Sequence, residues 1–422
     1  TLCPFCGKRP ISKKGRMPGG QMACVLCRDH VFLGENLVKK QIVAVLSAQN
    51  NSGPSGLSEP LFGEFQLIFP ETDMASAARK GDLLKYWSLS LDDASGNPAC
   101  TALRFFNGFV PVYTVKDMEN KRLHKTKGGY EIEEDIRENA PKTMNHIAAC
   151  ALNQDAEGRF SGVEALGVLK ADVDNLGLLM ACGLKDNLYS ISRIATLSRQ
   201  LNNFFTVYLP WFLESRPEFQ NIYTVFAGGD DLFLIGPWNR MVDFAPILAE
   251  KFADYVCRNP KITISAGISL HKAHTPVNIM AEAAEEALQK SKTSDRNRMT
   301  LFNETLEWKD VAKVYGIKAT LDRWLEDKFI SSTMLYRLNA FIDMADREAR
   351  TVSGSSIHIR DMSCTKWRAL LAYAVERNVG KTPDPGEREK RITEVRNLAA
   401  EWLATWRGGL RIPLWYIQYN RR

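Results

Sequence analysis

The stretch Thr224–Gly236, TVFAGGDDLFLIG, leaves the chain little choice of local structure. Two short runs rich in Val, Phe, Ile and Leu flank two glycines and two aspartates. Runs of that length and composition are strands. Two glycines between them supply positive φ angles without a Cβ clash, so the tip is a hairpin turn. A bare turn would need no chemistry from Gly228, Gly229, Asp230 and Asp231, since solvated aspartates are common at such tips. The flanks are nevertheless too apolar for a solvent-facing ribbon. The acids therefore belong to a buried sheet, where adjacent carboxylates repel each other unless a cation neutralises them.

The surrounding pattern extends the sheet. VEALGVLKA is a continuous apolar run and predicts a buried strand. SISRIATLSRQLNNFFTVYL predicts a helix with Ile194, Leu197, Leu201 and Phe205 on one face, ending at Pro210. VDFAPILAEKFADYVC predicts a helix and KITISAGISL a strand. A helix follows, capped by Thr275, opened by Pro276 and running to about Lys292, before the strand RMTLF. The order β-α-β-β-α-β-α-β is that of a palm, a ferredoxin-like antiparallel sheet backed by helices, expected over residues 153–307.

In LKADVDNLG, Asp172 and Asp174 follow the buried strand one side-chain period apart and would share a face. Asp172 with Asp230 and Asp231 would make a hard, oxygen-rich site suited to Mg²⁺ or Mn²⁺. Asp174 and Asn175 stand open between a ligand contact and a turn that caps the next helix. Lys290, Lys292, Arg296 and Arg298 gather where a helix ends and an edge strand begins. They are a solvated charged face or, for Lys292, a phosphate contact.

The N-terminus carries a second constellation. Cys3-x2-Cys6 and Cys24-x2-Cys27 are two tight knuckles whose four sulfurs suit tetrahedral Zn²⁺. Residues 1–62, assigned to this segment, contain little apolar periodicity before one helix, expected around ENLVKKQIVAVLSA. Four protein ligands leave no open position, so such a zinc is structural. Residues 63–152 form a strand-rich linker domain, with strands expected in GEFQLIFP, KYWSLSLDD and FFNGFVPVYTV and a basic hairpin or loop at Lys121–Lys127. From Trp308 strands give way to helices, a C-terminal helical domain over 308–422. The fold class is α+β.

Composition adds bounds. A chain of 422 residues exceeds a single core. A net charge of +6 permits a polyanionic partner without demanding one. No run of apolar residues is long enough to span a membrane. Cys100, Cys150, Cys182, Cys257 and Cys364 are scattered in apolar surroundings, which reads as reduced core thiols and a cytoplasmic protein.

LKADVDNLG, FAGGDDLFLIGPW, ITISAGISL and EEALQKSKTSDRNRMTLF, in that order, resemble the cyclase-type palm shared with the GGDEF diguanylate cyclases. With the cysteine knuckles before them and helices after, the chain is similar to the large Csm-type signature subunit of type III CRISPR effector complexes. That resemblance implies conversion of ATP to cyclic oligoadenylates on target RNA binding, with Mg²⁺ or Mn²⁺ and by two-metal attack of a 3′-hydroxyl on an α-phosphate. It makes Asp230, Asp231 and Asp172 the metal-binding catalytic acids. It sets Gly228 and Gly229 against nucleotide and offers Ser265 and Lys292 as ATP contacts. The implied partners are crRNA, target RNA, the subunit binding the crRNA 5′ end, small helical subunits, and a first palm domain from preceding sequence or another chain. No His-Asp dipeptide is present, so these residues offer no HD nuclease. The alternatives are a catalytically silent RNA-binding scaffold of such a complex and a stand-alone GGDEF-like cyclase, for which Leu232 stands where Phe is usual.

Overall fold

The structure is a computed structural model. It describes residues 1–17, 20–40, 42–47, 56–57, 60–70, 74–89, 108–120, 136–155, 157–353, 361–380 and 384–422. The basic segment Lys121–Lys127, Cys100 and the loop SGSSIH beyond Ser353 lie outside the described residues. Two compact units emerge: Thr1–Val110 with Thr206–Pro210, and the remainder.

In the first unit, helix Val25–Lys39 starts directly at the second knuckle, with Cys24 as its N-cap. Strands β1 (Ile42–Ser47), β2 (Phe65–Ile68) and β3 (Leu83–Ser88) then form an antiparallel sheet in the order β2-β1-β3. The helix expected around ENLVKKQIVAVLSA is thus corrected. It lies further N-terminal, and IVAVLS is the central strand. The β-branched run gains pairing on both edges, which outweighs a helical periodicity that is weak over so few residues. The sheet joins residues on both sides of the division expected at residue 62. Residues 108–114, the described part of an expected strand, make only the isolated bridge Val112↔Pro141.

The second unit centres on a six-stranded sheet. Its strands are β6 (Leu166–Val173), β7 (Tyr223–Gly228), β8 (Asp231–Pro237), β9 (Ile264–His271), β10 (Arg298–Leu301) and β11 (Glu304–Glu307), in the order β11-β10-β9-β6-β8-β7. A short β4 (Asn153–Gln154)–β5 (Phe160–Ser161) hairpin precedes it. The sheet is mixed rather than wholly antiparallel. β9 and β10 pair in parallel, because helix Val277–Thr293 carries the chain back across the sheet between them. β11, which the sequence did not reveal, is the edge in place of β10.

Residues 166 and 168 of β6 pack with Met280 and Ala284 of helix Val277–Thr293. On the opposite face, helix Trp238–Tyr255 lies over Gly167, where a Cβ would meet the Trp238 backbone at 2.8 Å. Burying Leu166, Val168 and their neighbours stabilises by roughly 1.5–3 kcal/mol each. Helix Val277–Thr293 begins with Pro276, not Thr275, at its N-cap. Helix Ile191–Asn203 does not end at Pro210. It passes through a π turn at Phe204–Tyr208 into helix Leu209–Ser215, and the altered hydrogen-bond register ahead of the proline accommodates its missing N–H.

Helices Trp308–Glu326, Ser332–Ser353, Trp367–Asn378, Pro385–Trp406 and Arg411–Arg421 follow. They bury Trp324, Trp367, Leu371, Trp402 and Leu403 in one apolar cluster. The last helix, absent from the sequence reading, also packs on the palm. Tyr416 and Tyr419 stack edge-on against Trp238, Tyr416 OH donates to Asp243 at 2.8 Å, and Asn239 bonds Asn420.

Candidate active site at the strand ends of the palm

One face of β6 changes character along its length. Leu166 and Val168 are apolar and packed; Lys170 pairs with Glu285 and Asp172 with Lys292, both acids and bases meeting across to the same helix. The alternation of a strand therefore delivers a carboxylate to the strand end on the helix-covered face. Register does the rest. Asp172 lies opposite Asp231 on one side and opposite Ser265 on the other. The Val173 amide donates to the Asp230 carbonyl at 3.0 Å. Gly229, with φ +65°, makes the turn into β8, and its N–H donates to the Asn202 side chain at 2.9 Å. Helix Ile191–Asn203 thereby fixes the glycine turn from outside the hairpin.

Burial lifts Asp172 above the ordinary carboxylate range. Its bond to Lys292 opposes this, while the fields of Asp230 and Asp231 add to it. Asp231 is lifted in the same way, against Lys170 and the Leu232 N–H. Glu285 moves down, held by Gln289 and Lys170. The three aspartates thus share an uncomfortable accumulation of negative charge, with Lys292 and Lys170 as its protein cations.

Helix Val277–Thr293 reaches this position because Gly267 permits it. A Cβ there would meet the Leu288 backbone N at 2.1 Å. Close approach of helix to sheet sets the height of Lys292 over Asp172.

Asp174 is turned to other work. It is 2% exposed and accepts from Thr263 Oγ1 at 2.7 Å, Ser265 Oγ at 2.7 Å and the Asn297 N–H at 3.0 Å. This carboxylate is saturated, and Ser265, also fully buried, spends its hydroxyl on it. Both serve to tie β6 to β9 and to the turn before β10. Asn175 is exposed and sits at the N-cap of helix Leu176–Cys182 in the left-handed conformation, without a side-chain cap bond. Lys290 bonds Asn303, and Arg298 pairs with Glu307 at 3.0 Å, so neither reaches the acids. Sequence reasoning missed Lys170, Glu285 and Asn202. The first two carried a signal, lying two residues before Asp172 and seven before Lys292, on the same faces. Asn202 carried none. A cavity of about 650 Å³ lies elsewhere on the palm, lined by Phe252, Thr263 and Trp308 among others, and includes none of the three acids.

In the N-terminal unit, the ligand atoms of Cys3, Cys6, Cys24 and Cys27 all lie within 4.8 Å of one another. Cys6 and Cys24 sulfurs are 3.9 Å apart. Tetrahedral zinc with Zn–S bonds of about 2.3 Å demands sulfur–sulfur edges of about 3.8 Å. The donor set and its spacing fit Zn²⁺. Among the described residues the three palm carboxylates do not draw together to that extent, although their oxygen donors and buried charge suit a hard divalent cation. Cys182 and Cys257 are exposed, which corrects their reading as core thiols. No described helix is long and apolar enough to cross a membrane.

Comparison with known proteins identifies this arrangement. Residues 165–300 match the second palm domain of Cas10/Cmr2. The Cas10/Csm1 single-strand-specific deoxyribonuclease of the subtype III-A CRISPR system of Enterococcus italicus is 34% identical over 190 residues, 45% of this chain and 23% of that protein. The palm of this chain is thus similar to the second palm domain of the Cas10 proteins. The Methanocaldococcus jannaschii relative of the same name is 35% identical over 170 residues, 35% of this chain and 21% of that protein. Matches to these curated Cas10/Csm1 relatives therefore span less than a quarter of their length. The crystal structure of Csm1 from T. onnurineus shares the fold over 91% of this chain and 50% of that one, with a TM-score of 0.55 and 18% identity.

Proposed function

We propose that this chain is the nucleotidyltransferase part of a type III CRISPR effector complex and that the palm site joins ATP into cyclic oligoadenylates when target RNA binds. The observation that carries this reading is the register pairing of Asp172 with Asp231, beside Asp230, at the mouth of a glycine turn. Structures of Csm1–Csm4 cassettes with one ATP, with pppApApA and with cA3 share the fold at TM-scores of 0.54, 0.53 and 0.52. At 19–20% identity they support the architecture, while the acids of this chain support the chemistry.

Asp172, Asp230 and Asp231 would hold Mg²⁺ or Mn²⁺, which would supply charge neutralisation at the reacting phosphate. The ribose 3′-oxygen of one ATP forms a bond to the α-phosphorus of another. The bond to the β-phosphate oxygen breaks, pyrophosphate departs and the 3′-hydroxyl proton leaves. Gly228 and Gly229 present no side chain to the triphosphate, and the turn keeps its shape because Asn202 holds the Gly229 amide. Lys292, paired with Asp172, is positioned to turn its ammonium to a phosphate. Asp174 and Ser265 act one layer back by fixing the strand ends, and Asn175 shapes the turn after β6. The four cysteines hold a structural Zn²⁺. The partners that follow are a Csm4-like subunit binding the crRNA 5′ end, small helical subunits, crRNA, target RNA and a first palm domain.

The test is to assemble the chain with its complex, guide and matching target RNA, add labelled ATP with Mn²⁺, and separate the products. Cyclic adenylates that vanish in Asp230→Ala/Asp231→Ala carry the reading. An intact, RNA-bound complex that turns over no ATP would sink it and leave the palm a scaffold.

A further inference from the structure

A groove far along the chain from the palm acids has a chemistry of its own. It lies between helices Ser332–Ser353 and Trp367–Asn378 and encloses about 350 Å³. One wall presents Thr333, Arg337 and Phe341, four residues apart on one helix face; the other presents Leu370, Tyr373, Ala374 and Arg377. Phe341 is 5% exposed and forms an apolar floor, while Tyr373 is 60% exposed.

The arginines of this groove differ from their neighbours. Arg368 is neutralised by Glu348 and Arg388 by Glu376. Among the described residues no carboxylate pairs with Arg337 or Arg377. Arg377 instead donates to Tyr373 OH at 3.0 Å, with its guanidinium 5.6 Å from the ring centroid. The groove thus offers two guanidiniums from facing helices, an exposed aromatic ring already held by one of them, and an apolar floor.

Guanidinium forks match phosphate oxygens, and an exposed tyrosine accepts a base face. An acidic peptide would use the charges but leave the ring and floor without a counterpart. We propose that this groove binds single-stranded nucleic acid, with a phosphodiester between Arg337 and Arg377 and a base stacked on Tyr373. The site is independent of nucleotidyl transfer, so it stands or falls apart from the reading of the palm.

The test uses the full chain and a fluorescent oligouridylate of about 12 nucleotides, a length that spans the usual single-strand site sizes. Anisotropy titrations run over a range of salt, with oligodeoxythymidylate in parallel to separate RNA from DNA. Arg337→Ala/Arg377→Ala should weaken binding about tenfold or more and lower the salt slope by about 0.7, the share of one neutralised phosphate on a single strand. Arg337→Lys/Arg377→Lys should restore most of the slope. Tyr373→Ala should weaken binding about fivefold or more while leaving the slope alone. All three residues are exposed, so unchanged melting curves serve as the folding control. A 4-thiouridine probe should crosslink to the peptide bearing Tyr373. Unchanged affinity and slope in the variants, crosslinks confined to other segments, or no binding by the wild-type chain would each overturn the proposal.

Discussion

The cysteine knuckle and the palm acids are both clusters of metal-type ligands, yet they rest on opposite foundations. Among the described residues the knuckle has almost no core: Cys3, Met17, Ala23 and Cys24 are its buried apolar side chains, two of them members of the cysteine cluster. The palm acids stand at the ends of strands whose bodies are fully buried, Val168, Leu169, Leu232 and Leu234 among them. In the first, the cysteines stand where a core would be. In the second, a fold made elsewhere holds carboxylates that it would be more comfortable without.

The largest effect expected from that contrast is at the knuckle. Cys24→Ala removes a candidate zinc ligand and the helix N-cap together. Structural zinc contributes on the order of 10 kcal/mol to such small sites, so residues 1–40 should lose order. Metal analysis of the purified chain and limited proteolysis after chelation check this. A segment equally resistant with and without zinc would break the comparison.

The palm should behave in the opposite way. Asp230→Ala/Asp231→Ala should cut nucleotidyl transfer by about 10²–10³-fold or more, yet leave the melting temperature unchanged or slightly raised. A fall of more than about 5 °C would mean that these acids support the fold. Asp174→Asn sharpens the point from two residues beyond Asp172. Its amide cannot accept from Thr263, Ser265 and Asn297 together, so the expected cost is about 1–3 kcal/mol of stability, read by thermal melting. Acids close in sequence then carry opposite signatures.

The smallest effect is a pH dependence. Asp172 and Asp231 have folded pKa values raised above the unfolded one, chiefly by burial. The folded state therefore holds more protons, and the stability this contributes is full below the unfolded value and lost as pH rises through the folded values. Asp172→Asn/Asp231→Asn should be more stable than wild type at neutral pH, with the advantage shrinking as the pH falls toward the ordinary carboxylate value. An advantage that instead grew on acidification would contradict the burial argument.

What could be read from the residues follows the same division. The apolar runs of β6, β8 and β9 and the glycine turn announced themselves, because local composition decides a buried strand. The fate of Asp174 was hidden, since its three donors come from Thr263, Ser265 and Asn297 across the sheet. Ile42–Ser47 reads as helical by itself because its pairing strands lie 18 or more residues downstream. The parallel pairing of β10 and the existence of β11 likewise depend on neighbours rather than on the run itself. Lys170 and Glu285 were legible in principle, by the period of a strand and of a helix, but only once the faces were known.

Helix Arg411–Arg421 follows every other element in the chain, and it lies against Trp238, Asn239 and Asp243 of the helix that directly succeeds β8. Distance along the sequence is therefore a poor guide to what an alteration there would disturb. An affinity tag, a truncation or a binding protein placed on those residues would press on the back of the sheet that presents Asp231. For anyone handling this chain, its last helix is best treated as a component of the palm.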